Sequence, residues 1–194
     1  MAKRGLTDAL RAGGLTAQAE VLHADELRLG LRGQVRRVLA PKGVDVRQRV
    51  QLRYEWVYLL LGVDARAGTV RWRWLDRMRA EYLHPVLMDW QLDGVVWDGA
   101  GAHRSKQLHT LPTVRVVLPP YSPELNPAER LFQEIRRRVE GRVYDTLAAK
   151  QAGVETYLAE LATDPTQVKR LCGWAWVVAA VDHLPPHRIE HAPS

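Results

Sequence analysis

From Glu20 to Leu31 the chain reads EVLHADELRLGL, an alternating stretch with one residue out of keeping. Val21, His23, Asp25, Leu27, Leu29 and Leu31 share one face if the segment is extended, because successive side chains of a strand point to opposite sides. Such a face is buried, so this segment is a strand with a core on one side. Asp25 then sits in an apolar row, and burying a carboxylate without a partner costs on the order of several kcal/mol. An ion pair with one of the chain's arginines is the ordinary compensation. Glu26 points to the opposite face and is not counted with Asp25.

The rest of the chain is consistent with one domain around such a sheet. It has 194 residues, enough for one real core and too few for two comfortable ones. Hydrophobic residues make up 46% and charged residues 26%, which excludes a disordered tail. Lys and Arg number 28 against 22 Asp and Glu, a net charge of +6. That excess favours a polyanionic partner, nucleic acid first, and its arginines suit bidentate phosphate contacts. The single cysteine, Cys172, excludes an internal disulfide and a thiolate zinc cluster. MAKRGLTDALRAGG lacks the apolar centre of a signal peptide, and the longest apolar run, LCGWAWVVAAV, is too short to span a bilayer. A cytoplasmic protein is expected.

Residues 1–18 are weakly patterned and read as a leader or linker, and the working domain as 19–182. A short strand closed by a Pro/Gly turn is expected at QVRRVLAPKG. QLRYEWVYLLLGVD and TVRWRWLD, joined at Gly68, read as a hairpin with Trp72 and Trp74 on one face. RMRAEYLHPVLMDWQL is a helix despite Pro85, DGVVWD a short buried strand, HRSKQLHTL a short helix, and TVRVVLPPYSP a strand stopped by prolines. An arginine-rich helix follows, then a helix over DTLAAKQAGVETYLAELA and an apolar one at 166–182. The tail, 183–194, is expected to be disordered. Taken as three antiparallel strands, a helix, a strand, a helix, a strand and then helices, with the short QVRRVLAPKG strand outside that count, the order predicts an α/β fold, a mixed five-stranded sheet with helices on both faces.

Two further acids occupy positions where ligands bind. Asp98 ends the apolar strand GVVWD, and the carboxyl ends of strands in α/β sheets are common ligand sites. An Asx turn, in which the carboxylate bonds the following backbone, explains it equally well. The glycines after it do not make a dinucleotide motif, because G-x-G-x-x-G fails at Arg104. In NPAERLFQEIRRRVE, Asn126 as N-cap, Pro127 and Glu129 form a near-capping box. Helical spacing puts Ala128, Leu131, Phe132, Ile135 and Val139 on the buried stripe, with Glu129, Gln133, Arg136 and Glu140 along its border. Glu129 thus leaves the core where a sheet edge could meet it. Three such acids can serve phosphodiester chemistry, which needs carboxylate oxygens to hold two hard divalent cations about one phosphate.

HADELRLGL, RRVLAPKG, VVWDGAGAHRS and VVLPPYSPELNPAERLFQEIRRRV closely resemble the DDE transposases of the mariner-like superfamily, in the bacterial insertion-sequence branch. The resemblance runs from about residue 19 to 150. It implies an RNase H-like fold, with Asp25, Asp98 and Glu129 as the catalytic acids holding Mg²⁺ or Mn²⁺, two ions in the active complex. It matches Asn126 to the family's Asn-Pro before the last acid and His103 to its histidine after the second aspartate. Arg104, Lys106, Arg130, Arg136, Arg137 and Arg138 are candidate contacts to DNA phosphates.

What the resemblance implies is a metal-dependent DNA endonuclease and strand transferase for transposition, acting on double-stranded element ends and target, in a nucleoid-associated setting. Relatives carry an upstream helix-turn-helix region that recognises element ends. With the first acid at residue 25, a separate helix-turn-helix subunit or a frameshift fusion is expected, and a homodimer on DNA. A non-catalytic DNA-binding or assembly relic, or another RNase H-like nuclease, remains the alternative.

Overall fold

The computed structural model describes residues 2–33, 39–47, 49–120 and 122–186. Strands β1 (Val21–Gly30), β2 (Trp56–Asp64), β3 (Thr69–Leu75), β4 (Gly94–Trp97) and β5 (Val114–Val117) form one sheet in the order β3-β2-β1-β4-β5. β1, β2 and β3 run antiparallel in succession, whereas β4 and β5 lie parallel to β1 and to each other. The hairpin turns at Gly68, whose φ of +79° is the left-handed conformation that glycine adopts without penalty. This is the mixed five-stranded sheet that the element order predicts.

Helices cover both faces. On one, α3 (Pro127–Val139), α4 (Leu147–Ala162) and α5 (Pro165–Cys172) pack Leu131, Phe132, Ile135, Leu158 and Val168 on Leu27, Leu29, Leu59 and Leu61. On the other, α2 (Ala80–Trp90) packs Leu83, Leu87 and Trp90 on Leu22, Ala24 and Leu60. The alternation along β1 thus separates two cores. Leu27 and Leu29 go to the first, and Leu22 and Ala24 to the second, as period-two geometry requires.

Two expectations about the ends need correction. Residues 2–18 are not a linker. Helix α1 (Ala2–Ala12) places Leu6 and Leu10 one turn apart, and both are buried with Leu15 against Val116 and against Ala180 and Val181 of α6 (Ala175–Asp182). Burying each leucine contributes roughly 1.5–3 kcal/mol, so a short helix with Gly5 inside it is held by its neighbours rather than by propensity. The apolar segment 166–182 is not one helix. It breaks at Gly173, where a Cβ would stand 2.5 Å from the Lys169 carbonyl oxygen. That close approach, with Gly173 N bonded to Lys169 O at 2.7 Å, ends α5 and lets α6 turn back to α1.

Smaller differences are local. The short helix expected around 103–111 is a pair of 3₁₀ turns, Gly101–Arg104 and Lys106–Thr110. Of the strand expected at 34–43, residues 34–38 lie outside the described residues and 39–43 carry no strand. Of the tail expected to be disordered, 187–194 lie outside the described residues. Its first part is packed, with Leu184 buried and Pro185 O accepting from Ala17 N at 2.9 Å. Among the described residues no helix is long and apolar enough to cross a membrane.

Candidate active site

The sheet register brings the first two acids together. β1 and β4 pair in parallel with Val21 beside Gly94 and His23 beside Val96. Continuing that register sets Asp25 level with Asp98, on the face that α3 covers. Glu129 lies in the first turn of α3. Asp25, Asp98, Asn126, Glu129, Arg104 and Gly99 line one cleft of about 430 Å³, closed on one side by Leu118, Pro119 and Pro120, the residues that stop β5. The cleft opens at the carboxyl ends of β1, β4 and β5, where the loops leave room for a ligand.

Asn126 joins two of the three elements. Its Oδ1 accepts from Ala128 N at 3.1 Å and caps α3, while its Nδ2 donates to Ala24 O at 3.0 Å and reaches Asp25 Oδ2 at 3.4 Å. Only 2% exposed, this one amide fixes the start of α3 against the middle of β1. Beneath it, the Cys172 thiol donates to Pro127 O at 3.5 Å, and burial pushes that thiol up to about 12. The N-cap is therefore Asn126. Glu129 directs its carboxylate instead to Arg136, at 3.7 Å, and remains partly exposed.

Asp25 is the most perturbed of the acids. Glu26 N donates to its Oδ1 at 2.8 Å, and among the described residues no arginine pairs with it. Burial raises its pKa to about 7, against the pull of the Glu26 N–H, and the charges of Glu26, Glu129 and Asp98 add to the rise. Two residues earlier, His23 is buried with neither ring nitrogen hydrogen-bonded among the described residues, and burial lowers its pKa to about 4.

Asp98 makes the Asx turn that its sequence context suggested, with Ala100 N donating to Oδ1 at 2.9 Å. His103 lies across the end of β4. Its Nδ1 is 2.8 Å from Asp98 Oδ1 and 3.1 Å from Asp98 O, and its Nε2 is 2.9 Å from Glu26 Oε1. The ring stacks on Trp97, 4.2 Å between centroids and 2° from parallel. Burial works against the imidazolium, but the hydrogen bond and charge of Glu26, and then Asp98, outweigh it and raise the pKa. Glu26 is the residue that sequence reasoning passed over. Periodicity placed it correctly on the far face, but nothing local indicates that a histidine 77 residues away reaches round the sheet to meet it.

The basic candidates divide. Arg104 lines the cleft and Arg136 reaches Glu129. Arg130 and Arg137 both engage Glu134, each at 2.7 Å, and Arg138 lies over the Tyr157 ring of α4, 4.0 Å from its centroid. Lys106 is exposed on the second 3₁₀ turn. Arg104 and Arg136 are thus the two brought to the acids.

The donor set fits a hard divalent cation by its chemistry. Its members are carboxylate oxygens, the ligands that Mg²⁺ and Mn²⁺ favour, and a cation would offset the burial and the neighbouring negative charges that lift Asp25. Among the described residues, no three acids, histidines or cysteines already close on a common point. The site brings the acids to one cleft without assembling a finished cage.

The whole arrangement is that of known folds. Over 94% of its length the chain superposes on the Mos1 transposase in its paired-end complex with the left transposon end, with a TM-score of 0.67 and 15% identity. The isolated catalytic domain of Mos1 mariner transposase is matched with a TM-score of 0.56 and 13% identity, over 94% of this chain and 92% of that one. A Mos1 mariner paired-end complex with Mn is matched with a TM-score of 0.62 and 13% identity, over 93% of this chain and 62% of that one. These likenesses establish the RNase H-like fold. The chain spans 61% of the Mos1 protein in the first of these complexes. No curated protein matches the chain. The model of the DDE superfamily endonucleases matches residues 20–149, from the strand carrying Asp25 through the helix carrying Glu129. With that match covering most of its length, the chain belongs to the DDE superfamily endonuclease family.

Proposed function

We propose that this chain is the catalytic domain of a transposase of the bacterial insertion-sequence type, cleaving DNA at element ends and joining them to a target. The observation that carries this reading is the convergence of Asp25, Asp98 and Glu129, from two parallel strands and a helix start, on one cleft. Asp25, Asp98 and Glu129 would hold Mg²⁺ or Mn²⁺, two ions in the active complex. Bound there, the cations supply Lewis-acid activation of the attacking oxygen and neutralise charge on the leaving oxygen.

The chemistry is two phosphoryl transfers. In the first, a water oxygen bonds to phosphorus, the bond to the 3′-oxygen breaks, and that oxygen takes a proton to become a 3′-hydroxyl. In the second, this hydroxyl attacks a target phosphodiester and displaces a target 3′-oxygen, so the number of phosphodiester bonds is unchanged. Arg104 and Arg136 bind phosphate beside the acids, while Lys106, Arg130, Arg137 and Arg138 offer more distant backbone contacts. Asn126 keeps Asp25 and the head of α3 in one frame. End recognition belongs to a helix-turn-helix unit distinct from this catalytic domain. Two copies of the chain then assemble on DNA, in a cytoplasmic, nucleoid-associated setting.

Asp98→Ala is expected to abolish Mg²⁺-dependent nicking of duplex DNA while leaving the circular dichroism spectrum unchanged. Retained nicking would sink the assignment. Joining of a 3′-hydroxyl end to a second duplex separates a transposase from a nuclease that acts on RNA–DNA hybrids.

A further inference from the structure

Asp98 is the most exposed of the three acids, its side chain 57% accessible, and it stands on a glycine-rich turn. An aspartate in that setting rotates freely unless something holds it. The structure supplies a chain of contacts from the opposite face of the sheet. Glu26 follows Asp25 on β1 but points away from the cleft, and its side chain is 7% exposed. It meets His103 Nε2 at 2.9 Å, and His103 Nδ1 meets Asp98 Oδ1 at 2.8 Å. The imidazole is wholly buried and pressed flat on Trp97, so its plane, and with it the direction of both ring nitrogens, is set by packing.

Among the described residues, Ala100 N donates to Asp98 Oδ1, and His103 Nδ1, which hydrogen-bonds the Asp98 carbonyl oxygen at 3.1 Å, also lies 2.8 Å from that same Oδ1. Oδ2 carries neither. A carboxylate held by one oxygen presents the other in a defined direction, which is how residues behind a metal ligand ordinarily act on affinity. We propose that Glu26 and His103 form a positioning pair that clamps Asp98 by Oδ1 and reserves Oδ2 for a divalent cation. This inference rests on the reading of Asp98 as a metal ligand. β1 thus contributes twice to the centre. Asp25 faces the cleft directly, and its neighbour acts on the next strand's acid through a histidine. The same 3₁₀ turn carries Arg104 into the cleft, so the clamp also fixes the backbone that presents this arginine.

The test compares Mn²⁺ binding by the full chain without DNA, followed by loss of the free-ion electron paramagnetic resonance signal, with metal-free thermal melting. His103→Ala is expected to weaken Mn²⁺ binding roughly 10-fold or more, the usual effect of removing a residue that orients a metal ligand. Glu26→Ala is expected to weaken it by a smaller factor, and Glu26→Gln, which keeps an acceptor oxygen for His103, to recover most of that loss. Combining Glu26→Ala with His103→Ala should add nothing to His103→Ala, because Glu26 acts through the histidine. Unchanged Mn²⁺ affinity in His103→Ala would overturn the pairing, whatever happens to its melting temperature. A strictly additive double variant would overturn it too. If His103→Ala does not fold, the contrast between Glu26→Ala and Glu26→Gln decides, and equal affinities in those two refute the clamp. Asp98→Ala separates the two levels of inference. If it binds Mn²⁺ as the wild type does, the metal-site reading fails. If it loses binding while His103→Ala keeps it, only the clamp fails.

Discussion

Asp64 and Asp98 each stand at the end of an apolar strand, before a turn of mostly small residues in VDARAG and WDGAGA, and they have different fates. Asp64 ends β2 at the hairpin. Its Oδ1 accepts from Arg66 N and Ala67 N, both at 2.8 Å, and the residue is 5% exposed. Asp98 ends β4 and makes a similar bond to Ala100 N, yet its side chain stays open to a cleft lined by two other acids. An Asx turn therefore does not distinguish an enclosed aspartate from one open to a cleft. What distinguishes them is the next strand over. Beside Asp64 runs the antiparallel return of its own hairpin, whereas beside Asp98 the parallel register brings up Asp25.

The sharpest way to break that contrast is to remove each carboxylate in turn. Asp98→Ala should reduce metal-dependent nicking to background, and Asp64→Ala, assayed well below its melting temperature, should retain it. Equal losses would mean that the cleft is not the reactive centre.

The next effect is one of pH. Asp25 has a folded-state pKa of about 7, above the ordinary value of 3.8. A raised carboxyl means that the fold prefers the protonated form, so this stabilisation is fully present below about pH 4 and is lost as pH rises through 7. The metal-free protein should melt lower at pH 8 than at pH 6, Asp25→Asn should flatten that difference, and Mn²⁺ should restore stability chiefly at the higher pH. A pH-independent melting temperature would show that Asp25 is not held in this way.

Smaller again is the stability cost at the hairpin. Asp64→Ala strips a buried turn of its acceptor for two backbone N–H groups and should cost about 1–3 kcal/mol in a denaturant titration. The least effect belongs to the Arg136–Glu129 pair, 3.7 Å apart and partly exposed, where Arg136→Ala should change stability by less than about 1 kcal/mol. Its effect on DNA affinity, if Arg136 binds phosphate, should shrink as salt is raised.

Much of this centre was legible in the chain. Alternation along EVLHADELRLGL placed Asp25 on a core face, and helical spacing after Asn126 placed Glu129 on the border of the buried stripe. Both follow because side-chain direction repeats with the backbone. The ordinary explanations for these acids were equally local, and the structure sorts them. The Asx turn at Asp98 is present, Asn126 is the N-cap of α3 as expected while Glu129 turns its carboxylate to Arg136, and Asp25 has Asn126 where an arginine was the usual guess. Where sequence reasoning failed, the deciding contact was distant. Leu6 and Leu10 are a thin helical signal until α6 and β5 cover them, and the break at Gly173 depends on how closely its backbone approaches Lys169.

By itself, then, the sequence determined which residues face which side of the strands and of the arginine-rich helix, and which acids lie at the edges of buried surfaces. These are consequences of backbone period, turn chemistry and the cost of burying charge, all short-range. Only the tertiary structure decided which edges meet. The parallel register of β1 and β4 levels Asp25 with Asp98, and one asparagine amide brings α3 to them. Glu26 touches Asp98 through a histidine because that ring has a tryptophan to lie on. Such meetings depend on packing between segments far apart in the chain, and no local pattern encodes them.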